Sequence, residues 1–358
     1  MAQYRNINVR SPFYTKFTSS EQFVDLELRI WEGDVSTDKP TAFDYSMQKE
    51  TSSGAATFEI AELIRDYLSH TNSLDSGAAW VEVKMSDTGD NADEYVIYLA
   101  SEGYRNNTEG LQHDSESFEN DFVAPPESAP NTSRVFVTEN KSTVIPIYVQ
   151  PQNALDWSYE TFNLAGAGSG LVPLTVTTES SEQFKHIVVT HNMSRVVISF
   201  DGDNREIFVD VLDCNKWNTG GSVILQYVNK AGAMARMPFS LKYVEKIKTS
   251  SDKFKRNLTN YSSLTTGNDL HVSRKRILTS KQSFVINSDW MPEYYVEQME
   301  EILLSEYVWA LLPSVDGSDY QAVNITTSEI GKKNHLNDKL IQYSFSIEIA
   351  ADYINTLR

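Results

Sequence analysis

A single cysteine, Cys214, serves 358 residues. With no second thiol there is no intrachain disulfide, and a disulfide-framework fold is excluded. Histidine is scarce too, at six. His186 and His191 stand five apart with no thiol pair to complete a zinc set, so no metal is expected. Long apolar runs are missing. Nothing reaches the length that spans a bilayer, and Met1-Ala2-Gln3-Tyr4-Arg5 leads into no apolar core of signal-peptide length. The expectation is synthesis and folding in a cytosol, with no membrane partner, so a sequon such as Asn324-Ile325-Thr326 carries no glycan. Positive charge is short: 31 Lys and Arg face 49 Asp and Glu, for a net charge of −18. So acidic a molecule repels nucleic acid, and no specific nucleic-acid partner is expected. Fixed-period repeats are absent, which excludes solenoids and propellers.

Chemical constellations are equally sparse. Gly166-Ala167-Gly168-Ser169-Gly170 has the glycine density of a phosphate loop. Such a loop must lead into a helix, which Pro173 blocks, so the run reads as a plain loop. Asp201, Asp203 and Glu206 resemble calcium ligands, but Arg205 sits among them and the further acids of a calcium loop are missing. Asp201-Gly202-Asp203-Asn204 is expected to be a hairpin turn. There is no glycine-serine elbow and no cysteine in a basic setting. Carboxylates are so numerous that no acid–base pair stands out. No catalytic residue, cofactor or small-molecule substrate is assigned, and the chain is expected not to be an enzyme. The tryptophans (Trp31, Trp80, Trp157, Trp217, Trp290, Trp309) would stack sugars if they shared an exposed face. Their apolar strand contexts predict burial instead.

What the chain has in quantity is β-forming sequence. Eighteen tyrosines and sixteen phenylalanines stand among many Thr, Ser and Val. The length suits two or three domains. In residues 1–105, Val24, Leu26, Leu28 and Ile30 alternate with Asp25, Glu27 and Arg29, and Val81, Val83 and Met85 with Glu82 and Lys84. Tyr95 to Ala100 is a further strand, Asp38-Lys39-Pro40 a turn, and Leu63, Ile64, Tyr67 and Leu68 a helix of two turns at most. This predicts a β-sandwich-like domain. Residues 106–133 hold six acids, no Lys or Arg, and the breaker Pro125-Pro126, as an acidic linker or long loop would. Residues 134–222 predict a second β-sandwich-like domain, with strands at Val135–Val137, Val144–Val149, Leu174–Val176, Ile187–Val189, Val196–Phe200 and Ile207–Leu212.

Residues 223–358 predict a C-terminal α+β domain, an antiparallel sheet with one helix. Asp289 is placed to cap that helix, with Pro292 and Glu293 in its first turn. Tyr295, Met299, Ile302 and Leu303 then form an apolar face opposite Glu297, Gln298, Glu300 and Glu301. Phe284-Val285-Ile286, Tyr307-Val308-Trp309 and Val323-Asn324-Ile325 read as strands. The strongest alternation sets Ile341, Tyr343, Phe345, Ile347 and Ile349 against Gln342, Ser344, Ser346 and Glu348. Lys242 to Lys281 reads as a connector. The whole is expected to be mainly β and multidomain.

Several phrases carry a resemblance. They are Ile224-Leu225-Gln226-Tyr227-Val228-Asn229-Lys230-Ala231-Gly232, Leu303-Leu304-Ser305-Glu306-Tyr307-Val308-Trp309, Leu336-Asn337-Asp338-Lys339-Leu340-Ile341 and Asp352-Tyr353-Ile354-Asn355. Near the start, Ile7-Asn8-Val9-Arg10-Ser11-Pro12-Phe13-Tyr14 and Phe58-Glu59-Ile60-Ala61-Glu62-Leu63-Ile64-Arg65-Asp66-Tyr67-Leu68 add to them. Together they resemble a family of virion structural proteins of tailed phages, chiefly those of Bacteroidetes-type hosts. The likeness touches both ends and leaves residues 106–220 unmatched. It implies a tail, tail-ring or baseplate protein, assembled in the host cytoplasm into a homo-oligomeric ring beside other tail proteins. The order of the C-terminal elements is tail-tube-like by analogy.

One charge feature stands apart. Residues 242–281 hold ten basic residues and three acids, a net +7, which leaves −25 on the rest of the chain. Charge runs are usually solvated loops. A basic stretch on an acidic molecule also suits self-complementary assembly. Lys253, Lys255, Arg256, Arg274, Lys275 and Arg276 are therefore the expected subunit contact, with 106–133 as an acidic counterpart. The competing expectation is a receptor-binding adhesin or carbohydrate-binding β-sandwich protein.

Overall fold

The structure, a computed structural model, describes residues 5–74, 77–89, 93–113, 127–129, 132–139, 141–148, 157–174, 184–200, 203–212, 221–255, 273–313, 319–331 and 340–351. It is mainly β and multidomain in character, with its sheets gathered into three packed units. The first holds β1 (Arg5–Asn8), β2 (Phe13–Thr18), β3 (Phe23–Trp31), β4 (Tyr45–Glu50), β5 (Ala55–Glu59), α1 (Ala61–Tyr67), β6 (Ala78–Asp87), β7 (Glu94–Ser101) and β8 (Gln112–His113). A five-stranded sheet, β1-β7-β6-β3-β4, faces a three-stranded one, β5-β2-β8. Alternation decides the inner face. Val24, Leu26, Leu28 and Ile30 of β3 are buried against Val81, Val83 and Met85 of β6, while Asp25, Glu27 and Arg29 are half-exposed. The short α1 closes one side by burying Ala61 and Ile64.

The second unit holds β9 (Glu127–Ala129), β10 (Thr132–Thr138), β11 (Ser142–Tyr148), β12 (Ser158–Asn163), β13 (Val172–Pro173), β14 (Phe184–Thr190), β15 (Met193–Phe200) and β16 (Asp203–Leu212). Its six-stranded sheet, β13-β12-β15-β16-β10-β9, packs on the pair β11-β14 around Val137, Ile145, Val189, Val196 and Ile207. Phe200 pairs with Asp203, so β15 and β16 form the expected hairpin; its two connecting residues lie outside the described ones. The strand β13, Val172–Pro173, ends just before the strand expected at Leu174–Val176. Leu174 is buried just past the strand, and residues 175 and 176 lie outside the described ones.

The acidic linker expected over 106–133 is in part built into the fold. Asn106 and Glu109 cap a 3-10 turn reciprocally, and β8 pairs with β2. The reason is one buried amide. Gln112 Nε2 donates to the carbonyls of Asn8 (2.9 Å) and Ser11 (3.2 Å), and its Oε1 accepts from the Asn8 N–H (3.0 Å). At the far end, Thr132 and Ser133 already belong to β10. Residues 114–126 lie outside the described ones.

The third unit holds β17 (Val223–Val228), β18 (Met234–Phe239), β19 (Val244–Lys255), β20 (Ser273–Asn287), β21 (Met291–Pro292), α2 (Val296–Leu304), β22 (Val308–Leu311), β23 (Gln321–Ile325), β24 (Leu340–Ile341) and β25 (Ser344–Ile349). Seven strands run in the order β18-β17-β22-β23-β25-β20-β19, each pair antiparallel. Met299 and Ile302 of α2 share one core with Phe345 and Ile347 of β25. The helix begins later than Asp289 suggests. Met291 is fully buried and paired with Ile341, a 3-10 turn follows over Glu293–Tyr295, and α2 starts at Val296 without a side-chain cap. Asp289 Oδ1 accepts from the Trp290 N–H instead (2.7 Å). The alternation from Ile341 to Ile347 holds in burial but spans two strands. The break at Tyr343 comes from Ser288, whose N–H donates to the Tyr343 carbonyl while its Oγ accepts from the Tyr343 N–H (both 2.8 Å).

The third unit is the hub. Phe136 of β10 enters its core 4.5 Å from the Tyr295 ring, and the Tyr295 hydroxyl donates to the Arg134 carbonyl (2.6 Å). Phe184 of β14 meets Trp31, Trp80, Leu99 and Ala233, so all three units share one apolar cluster. Gly103 and Gly232 bring the first and third units into backbone contact. A Cβ on Gly232, where φ is +87°, would lie 2.8 Å from the Gly103 nitrogen, and one on Gly103 would lie 2.8 Å from the Lys230 carbonyl oxygen. The Tyr104 N–H donates to that same carbonyl (2.8 Å).

Candidate subunit-contact surface

The basic stretch is a connector in sequence and a strand pair in space. β19 and β20 pair antiparallel from Val244↔Val285 out to Lys255↔Ser273. They do so because Lys and Arg alternate or cluster with Thr, Ser, Ile and Phe, and no breaker occurs in either strand. β25 pairs with β20 at Ser283–Asn287 alone, so the sheet flanks the ribbon at its root and not along its length. At about 3.4 Å per residue, β19 is about 40 Å long. It is exposed throughout apart from half-buried Ser251. A register shift between Ser250 and Ser251 bends the ribbon near its middle.

The expected contact residues fall on this ribbon. Lys253, Lys255, Arg274 and Lys275 are exposed near its distal end. Arg276 belongs to β20 by its backbone, and Arg256 lies outside the described residues. Lys253 and Lys275 are directly opposed partners across the two strands. Lys246 and Lys248 belong to the same surface and were missed by a reading that stopped at the densest charge. Their signal was present in the period-two spacing. None of Lys246, Lys248, Lys253, Lys255, Arg274 and Lys275 has an ion pair among the described residues. Lys281, nearer the root, lies 3.6 Å from Glu348.

The Gly166–Gly170 run is a loop held by Asn163, whose Oδ1 accepts from the Ala165 and Ala167 N–H groups (both 2.9 Å). Glu206 is paired with Arg195 (2.8 Å), and no group of three potential metal ligands occurs among the described residues. His186 Nε2 bonds the Met234 carbonyl (3.1 Å), joining the second and third units, and Cys214 lies outside the described residues. Trp31, Trp80, Trp157 and Trp309 are buried, while Trp290 is 59 % exposed. One exposed tryptophan makes no stacking platform; Trp217 lies outside the described residues.

No family model matches the chain, and no curated protein matches it. Among solved structures, a fragment of native alpha-2-macroglobulin from Escherichia coli spanning domains MG0-NIE-MG1 is similar over 55 % of this chain, at 8 % identity and a TM-score of 0.18. The match spans 64 % of that fragment, less than two thirds of its length. A likeness so loose carries no argument about fold or activity.

Four ionisable groups, Glu306, Glu102, Glu301 and His70, sit at the joints between units. Glu306 pairs with Arg65 (2.5 Å) and lies 3.7 Å from Arg10, tying the third unit to the first. Beside them Glu102 is buried, and that burial raises its pKa against the charges of Arg65 and Arg10. Glu301 of α2 lines a cleft with Val135, Val144, Pro146 and Met237, and burial pushes its carboxyl up to about 7. His70, with its ring 5.0 Å from that of Tyr307, is held down at about 4 by burial. Each of these groups lies where two units meet.

Proposed function

We propose that this protein is a non-enzymatic structural subunit that acts by oligomeric assembly, in the tail, tail ring or baseplate of a phage virion. The resemblance at both ends of the sequence supplies the setting. The observation that carries the mode of action is the β19–β20 ribbon, a basic arm extending from an acidic body whose three units share one hub. In a head-to-tail ring each subunit presents two different faces, and a body of −25 gives the arm an attractive surface on its neighbour. Opposed charges of this kind steer encounter and fix register more than they add affinity.

The test reverses Lys255, Arg256, Lys275 and Arg276 to Glu and follows association by light scattering from low salt to about 1 M, where the Debye length falls to about 3 Å. Slower assembly at low salt, converging with the parent chain at high salt and with an unchanged circular dichroism spectrum, is expected. Assembly at the parental rate across the whole range overturns the reading. Turnover of polysaccharide, peptidoglycan or ester, abolished by removing one carboxylate, would overturn its non-enzymatic part.

A further inference from the structure

We infer that the free edge of β19 is completed by an acidic extended segment of a second copy of this chain, so that the sheet of one subunit continues into the next. The inference rests on the assembly reading above and specifies how that contact is made.

Three observations converge on the edge. First, β19 ends the seven-stranded order, so the backbone N–H and C=O groups on its outer side have no strand partner among the described residues. Second, beyond Ser283 the described ribbon consists of two strands alone, with Ile247 and Phe254 exposed along it. Two strands alone are marginally stable, and a third is the usual remedy. Third, Lys253 and Lys275 face each other directly across the ribbon, an unfavourable gathering of like charge that carboxylates brought to the edge beside Lys253 would offset.

The lysines also decide what kind of strand fits. Edge lysines block sheet extension by a strand of like charge. Two β19 edges brought together antiparallel about a two-fold axis between Ser250 and Ser251 would set Lys246 against Lys255 and Lys248 against Lys253 of the copy, so that symmetric pairing is disfavoured. An acidic strand reverses the sign. Main-chain bonding then supplies affinity while carboxylates opposite Lys253 and Lys255 of β19 set the register, as in strand addition to a sheet edge. The second copy carries −25 outside this stretch and is a ready source of acids. A contact between unlike surfaces either closes a ring or propagates, and does not stop at a dimer.

Hydrogen–deuterium exchange on the full chain, below and above its assembly concentration at about 50 mM salt, tests this. On assembly, about every second amide of 244–255 should become protected, together with one acidic segment elsewhere in the chain. The pair of changes Lys253→Glu and Lys275→Glu should slow assembly about tenfold at low salt without altering monomer exchange outside the ribbon. Assembly that leaves the amides of 244–255 exchanging freely overturns strand addition and leaves the assembly reading standing. A chain that stays monomeric at every concentration overturns both. Protection confined to 244–255 in a particle that stops at two copies shows the symmetric pairing instead and overturns the acidic partner.

Discussion

Glu301 belongs by sequence to the polar row of α2, yet its carboxyl sits against the Lys230 turn, where burial pushes it up to about 7. An acid whose folded pKa exceeds its unfolded value favours the fold fully below the unfolded pKa. That contribution is lost as pH rises through the folded one. Urea unfolding should therefore show stability falling from pH 5 to pH 8 by up to about 3 kcal/mol on this group's account. Glu301→Gln should flatten the fall and be the more stable chain at pH 8. His70 works in the opposite sense. Held neutral at about 4, it favours the fold above the unfolded histidine pKa and loses that contribution as pH falls, so the difference between parent and variant is what isolates Glu301. The glycine clasp makes a second expectation at this scale. Gly232→Ala must push the first and third units apart, whereas Gly54→Ala, also at positive φ, has its nearest atom at 4.0 Å. Gly54→Ala should cost about 1 kcal/mol of backbone strain, and Gly232→Ala clearly more, with faster proteolysis between the units.

At the scale of elements, β25 and α2 close the hub, so Phe345→Ala should lose about 3–5 kcal/mol in chemical denaturation. A loss below about 1 kcal/mol would mean that the strand is not core. This part of the fold was legible because one face of each element is buried and the other wet. Val24 to Ile30 and Phe345 to Ile347 declare their strands by that contrast alone. Elements that escaped reading obey other rules. β8 exists because one glutamine side chain imitates a strand, and α2 starts late because Met291 is drawn into a pairing with Ile341, some fifty residues away. β19 has almost no buried face along its length, so burial contrast does not mark it and charge hides the alternation. The candidate surface was thus legible as chemistry before it was legible as shape.

For the whole molecule, the arm should be the first place a protease enters. Limited trypsin digestion of the monomer should cut at Lys253, Lys255, Arg274 or Lys275 before any site in the body, because a two-stranded ribbon opens at little cost. The digested body should keep its thermal transition, and assembled protein should resist at those sites. Cleavage starting elsewhere, with the arm intact, would mean that the ribbon is held by contacts other than its own ladder. β20 also runs unbroken from exposed Ser273 to Asn287, and at its inner end Phe284 and Ile286 are buried in the hub. A tug on the tip travels lengthwise down one strand and reaches the ladder to β25 along its axis. Those hydrogen bonds would have to be sheared together, not peeled apart singly. The extra residue of β20 between Ile277 and Thr279 kinks the ribbon opposite Ser250 and Ser251, so the outer half leaves the root at an angle. Mechanically the arm is a tether with a kink in it, and whatever grips its end is hauling on the centre of the protein.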